Sequence, residues 1–157
     1  MAASFEAQLL CPERSLFDGR ATSLSCRSSD GLLTVQAGHA DLVCDVLPGI
    51  VTIEGEGQKL EVLVHGGFLQ VKSGPGADST TEGFGSKVTL LAGVAEPLSE
   101  LDPVRAETAK ARAEAELSQL GTAGGTTDDG LDLDARRQDL SDAIVRANLR
   151  LQAGRGR

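Results

Sequence analysis

Near Gly93 the hydrophobic period of this chain changes from that of strands to that of helices, which restricts it to folds in which a β region is followed by a helical one. From Phe5 to about Ala92 short alternating or β-branched runs are broken by Gly, Pro, Asp and Ser. Strands are predicted at Phe5–Leu10, Ala21–Arg27, Leu32–Gln36, Asp41–Val46, Ile50–Glu54, Lys59–Val64, Phe68–Lys72 and Lys87–Leu91. Their spacing is that of a sandwich or barrel. Asp18-Gly19, Asp30-Gly31, Pro48-Gly49 and Gly66-Gly67 supply turn chemistry, because these residues tolerate positive φ or preset a turn. The polar stretch Ser73 to Ser86 has little to bury and reads as a long hairpin loop, either a tolerated insertion or a functional loop.

Past Gly93, Asp102-Pro103 has the form of a helix start, with Asp102 as cap and Pro103 in the first turn. Ala106, Ala109, Ala113, Leu117 and Leu120 make one narrow apolar stripe, and Gly121 stops the helix. A flexible connection leads to Asp132 or Asp134 as the cap of a second helix, whose apolar face is Leu140, Ala143, Ile144, Ala147 and Leu151. The expected fold is therefore a β-sandwich N-terminal domain, residues 1–93, followed by a C-terminal antiparallel α-helical hairpin, residues 94–157, with a short flexible tail. Burying Ala removes little apolar area, so the hairpin is either a marginally held, detachable element or a plain completion of the core.

Composition removes several function classes. A net charge of -8 on 157 residues, with four Phe and no Trp or Tyr, leaves neither a basic stripe for phosphates nor a platform for stacked bases, so nucleic acid is not an expected partner. Cys11, Cys26 and Cys44 form no close pair, which argues against a disulfide framework or a zinc knuckle. The start MAASFEAQLL has neither the basic residues nor the apolar run of a secretory signal, and no stretch is long enough for a membrane span. His39 and His65 lie in no HExxH or nucleophile pattern, and neither a GxSxG elbow nor a phosphate loop occurs. No catalytic residue and no metal site are expected.

Ordered motifs then point to a family. CPERSLFDG at Cys11–Gly19, GLLTVQAGHADLV at Gly31–Val43, PGIVTI at Pro48–Ile53, VHGGFLQV at Val64–Val71 and LDPVRAETAKARAEAEL at Leu101–Leu117 resemble, in order and spacing, the epsilon subunits of F-type ATP synthases. The resemblance covers nearly the whole chain. It implies a non-catalytic central-stalk subunit of a proton-translocating synthase that turns with the gamma subunit, rests on the c-ring and restrains ATP hydrolysis by the alpha and beta subunits through its hairpin. It also implies that Asp30, Gly31 and Leu32 touch the c-ring, and that Gly38 and His39 touch gamma. Here Ala37 and Asp41 stand where the family commonly has proline, which predicts a less rigid local loop, and Leu32 replaces a residue that is often acidic.

Some bacterial members of the family bind ATP, and their residues match Glu96, Asp102, Arg105, Arg112, Arg146 and Arg150. Arg105 and Arg112 are two helical turns apart and Arg146 and Arg150 one turn apart, so the guanidinium groups either converge on a polyphosphate or form ordinary ion-paired surface. No cofactor is required by this resemblance, and regulatory ATP is the one small ligand it implies. Membrane association would come only through the complex, at the cytoplasmic face of a bacterial plasma membrane or, alternatively, at an organelle inner or thylakoid membrane. A free-standing nucleotide-sensing adaptor is the competing reading.

Overall fold

The computed structural model describes residues 3–55, 57–74, 86–122 and 133–155. The chain divides into two compact units, Met1–Glu100 and Leu101–Arg157, so the division falls beyond the change of period at Gly93. The expected features of residues 75–85, and the helix connection near Gly124, lie outside the described residues.

The first unit holds β1 (Phe5–Leu10), β2 (Ser15–Ala21), β3 (Ser23–Ser28), β4 (Gly31–Gln36), β5 (Leu42–Val46), β6 (Gly49–Gly55), β7 (Gln58–Val64), β8 (Gly67–Lys72), β9 (Lys87–Ala92) and β10 (Ala95–Pro97). A 3-10 turn at Leu98–Glu100 ends it. The strands run in the order β10-β7-β6-β3-β5-β8-β9-β1-β2, with β4 on the other edge of β3. Every pairing is antiparallel except β1 with β9.

β3 turns this path into two layers, because Ser23–Ser25 pair with Thr52–Glu54 of β6 whereas Ser28 pairs with Val46 of β5. At the far end Thr22, just past β2, donates its N–H to Glu54 O at 2.7 Å and brings the path back to β6. Alternation along each strand sends one set of side chains inward. Phe5, Ala7 and Leu9 of β1, Leu24 and Cys26 of β3, Val51 and Ile53 of β6, Leu69 and Val71 of β8, and Val88 and Leu90 of β9 share one buried core. The result is the expected β-sandwich.

All eight predicted strands are present with small changes in their ends, and two more are added. The expected turn at Asp18-Gly19 is instead the middle of β2, where Gly19 lies opposite Ala7. The reversal is made earlier, where Cys11 N–H donates to Arg14 O at 3.0 Å. β10 is too short for a periodic signal, yet it pairs Ala95–Pro97 with Val62–Val64 and buries Ala95 and Leu98 is buried just after it.

In the second unit α1 spans Pro103–Thr122 and α2 spans Leu133–Arg155. Asp102 caps α1 as expected, accepting from the N–H groups of Val104 at 2.9 Å and Arg105 at 3.2 Å. The helices are antiparallel: Arg137, near the start of α2, donates to Leu120 O near the end of α1, while Gly154 near the end of α2 lies beside Pro103. Ala106, Ala113, Leu140 and Ala147 are buried along the expected stripes. Ala109 differs, being exposed on the flank of the seam. Asp134 is inside the first turn of α2, not at its cap, and pairs with Arg137; Asp132 lies outside the described residues.

Candidate functional site

Two turns and one helical face carry the residues singled out by the sequence. The β3–β4 turn is pinned by Ser28, whose buried hydroxyl donates to Gly31 O and accepts from the N–H of Asp30. Gly31 adopts φ 119, a conformation that glycine alone takes without strain. The adjoining Leu32 is 83% exposed, so a fixed turn holds an apolar side chain out into water.

The second turn, at Gly38 and His39, lies at the opposite end of β4. Gly38 has φ 80, and His39 N–H donates to Gln36 O at 3.2 Å. In place of flanking prolines the turn has hydrogen bonds to residues next to β8 and β9. Ser86 donates its hydroxyl to His39 O at 3.3 Å, and Asp41 Oδ1 accepts from Ser73 N–H at 2.6 Å and also from the Ser73 hydroxyl. Asp41 thus supplies by hydrogen bonding a restraint that proline would supply through its ring.

These bonds from the hydroxyl and then the N–H of Ser73 hold the Asp41 carboxyl below the usual carboxylate range. A lowered folded pKa means that the tie contributes above the unfolded value, about 3.9, and is lost as pH falls through the lower folded value. The Ser73 amide resonance is therefore expected to stay constant from neutral pH to about 4 and to shift only below it. Asp41→Asn should abolish that titration; a midpoint above the ordinary carboxylate value would contradict the tie.

Glu96 belongs to the sandwich unit, in β10 opposite Leu63, with Oε1 3.9 Å from Nε2 of the buried His65 side chain. Asp102, Arg105, Arg112, Arg146 and Arg150 belong to the hairpin unit. Arg105 and Arg112 line one open cavity of about 530 Å³ between α1 and α2. Arg146 and Arg150 are half-buried on α2 but are not part of that lining. Arg136, Leu140 and Ala143 take their place there, facing Thr108, Ala109, Ala113 and Glu116. Sequence reasoning missed Arg136 and Glu116. Arg136 could have been found, since it lies four residues before Leu140 and seven before Ala143 and so shares their side of α2.

Burial pushes the Cys26 thiol up to about 11, and burial followed by Asp45 raises that of Cys44, so these thiols stay protonated and unreactive at neutral pH. Among the described residues no group of three or more His, Cys, Asp and Glu could hold a metal ion. No helix there is long and apolar enough to cross a membrane.

Fold and site together define a class, a β-sandwich with restrained turns at both ends of one strand, followed by a helical hairpin with an arginine-lined cavity. Comparison with known proteins narrows it. Residues 4–74 match the ATP synthase, Delta/Epsilon chain, beta-sandwich domain. The ATP synthase epsilon chain of Desulforudis audaxviator is 34% identical over 116 residues, covering 74% of this chain and 76% of that relative. That of Pelotomaculum thermopropionicum is 34% identical over 112 residues, covering 71% and 75%. The chain belongs to the ATP synthase epsilon chain family.

Two solved structures share the fold. A chain of the Euglena gracilis mitochondrial ATP synthase, from a structure of OSCP/F1/c-ring, superposes with a TM-score of 0.62 at 22% identity over 94% of this chain and 82% of that one. A chain of the Tetrahymena thermophila mitochondrial ATP synthase central stalk/c-ring gives 0.52 at 13% identity, covering 96% of both.

Proposed function

We propose that this chain is a non-catalytic rotor subunit of a proton-translocating ATP synthase, coupling gamma to the c-ring through its sandwich and restraining ATP hydrolysis by alpha and beta through its hairpin. The observation that carries the coupling role is the placement of the two restrained turns at opposite ends of β4. In this reading Asp30, Gly31 and Leu32 meet the c-ring while Gly38 and His39 meet gamma, and a strand of six residues, about 20 Å long, holds the contacts apart. A hydrogen-bonded strand within a sheet transmits displacement with little bending.

Family membership supports the partners, and the exposed Leu32 supplies an apolar side chain whose burial would stabilise a contact. The chain would be peripheral to the membrane, held there by the complex. Within the hairpin unit Arg105 and Arg112 would take regulatory ATP, with Asp102, Arg146 and Arg150 as further ligands.

The test is co-purification of the tagged chain with gamma and the c-ring. A stable complex is expected, and Leu32→Asp should weaken c-ring retention by about ten-fold or more while gamma stays bound, since burial of a leucine is replaced by exposure of a charge. A monomer that binds nucleotide but neither subunit would replace this reading with that of a free-standing adaptor.

A further inference from the structure

The arginine-lined cavity contains its own carboxylate. Glu116 Oε1 accepts from Arg112 Nε at 3.2 Å on the same helix, and Glu116 Oε2 accepts from a terminal nitrogen of Arg136 at 2.8 Å on the other. One anionic side chain therefore bridges α1 and α2 by the charge-assisted bonds that a phosphate would make. Ala109, Ala113 and Ala143 keep the remaining wall small, so the cavity stays open beside these groups. Arg105, Arg112 and Arg136 against Glu116 leave three positive charges and one negative charge in the lining, a local excess in a chain whose net charge is -8.

We propose that this cavity binds the polyphosphate group of its ligand with Arg136 as a ligand residue, and that Glu116 is a built-in competitor that sets the affinity by occupying Arg112 and Arg136 until the anion displaces it. The inference rests on the nucleotide reading above and changes its residue set. Arg112 and Arg136 are well exposed, and an exposed ion pair is held weakly, so Glu116 can yield to a ligand carrying several charges. Because the bridge joins the helices whichever anion makes it, exchange leaves the hairpin paired. Glu116 then has opposite effects in the two states: it supports the empty hairpin and opposes the loaded one.

The test is calorimetry on the full chain with inorganic tripolyphosphate and with ATP, using the parent, Glu116→Gln, Arg136→Ala, Arg136→Lys and Arg146→Ala, each checked for parental helicity. Removing one negative charge beside a polyanion should tighten tripolyphosphate binding about five-fold in Glu116→Gln at low salt, with a smaller gain at high salt. Arg136→Ala should weaken it about ten-fold and Arg136→Lys should recover part of the loss. Glu116→Gln should also melt earlier than the parent without ligand and later with saturating tripolyphosphate, a reversal that a merely structural pair would not give.

Unchanged affinity in Glu116→Gln and Arg136→Ala, with ATP binding lost in Arg146→Ala, would overturn this inference and leave the nucleotide reading standing. No binding of either probe at millimolar concentration to the parent and to Glu116→Gln would overturn both. Equal affinity for tripolyphosphate and ATP would support the polyphosphate site and remove any role for the base.

Discussion

A chain ending at Glu100 is expected to keep a cooperative sandwich, whereas one ending at Ala92 should lose about 3–5 kcal/mol of stability, because it lacks the buried Ala95, Pro97 and Leu98 and the cover they give to β7. The two differ by β10 and the 3-10 turn. β10 pairs with Val62–Val64, all three of which are buried, and Val94 O accepts from His65 N–H at 3.0 Å. Without it, β7 becomes an uncovered apolar edge of the kind that promotes association as well as unfolding. The ion pair of Arg14 with Glu100 at 2.8 Å is exposed and adds little. Urea denaturation of both truncated chains measures the difference. Coincident midpoints would show that β10 contributes nothing and that the sandwich is complete at the change of period.

Gly67→Ala should destabilise the sandwich by about 3 kcal/mol, more than Gly66→Ala at about 1–2 kcal/mol, although sequence alone treats the two glycines as one turn. Gly66 has φ 108, so an alanine there is strained but meets only Val46 O at 3.6 Å. At Gly67 an added methyl would run into the carbonyl oxygen of Leu91 and approach Ala92 Cα to 3.1 Å. Both atoms are backbone of β9, the strand to which β8 is bonded, so the obstacle cannot rotate aside. The ladder itself must open. Thermal or urea melts of the two variants give the comparison, and a Gly66 variant less stable than the Gly67 variant would reverse the argument.

These glycines show what could and could not be read from the sequence. Alternation made Phe5–Leu10 and Phe68–Lys72 legible as strands, because each buries one face of the sheet. Gly67 reads as a turn residue because close backbone approach leaves no periodic trace. β2 was hidden for a related reason: at the end of the strand path, with Ala21 its one fully buried residue, its Asp18-Gly19 had the composition of a turn. The helical start at Asp102 was legible down to the capping residue, since the cap depends on neighbours in the chain. The cavity was legible only in part. Arg105 and Arg112 follow from their spacing on one helix, but the exchange of Arg146 for Arg136, and the entry of Glu116, depend on how two helices align across a connection.

The role of the hairpin rests on what happens to the enzyme when it is removed. ATP hydrolysis by the assembled synthase, measured with the full chain and with the chain ending at Glu100, tests that role most directly, provided that both are shown to be bound to gamma. Higher hydrolysis with the shortened chain is the predicted result, with coupling to the c-ring retained through the sandwich. Equal rates in two verified complexes would contradict the account and leave residues 101–157 without a regulatory function.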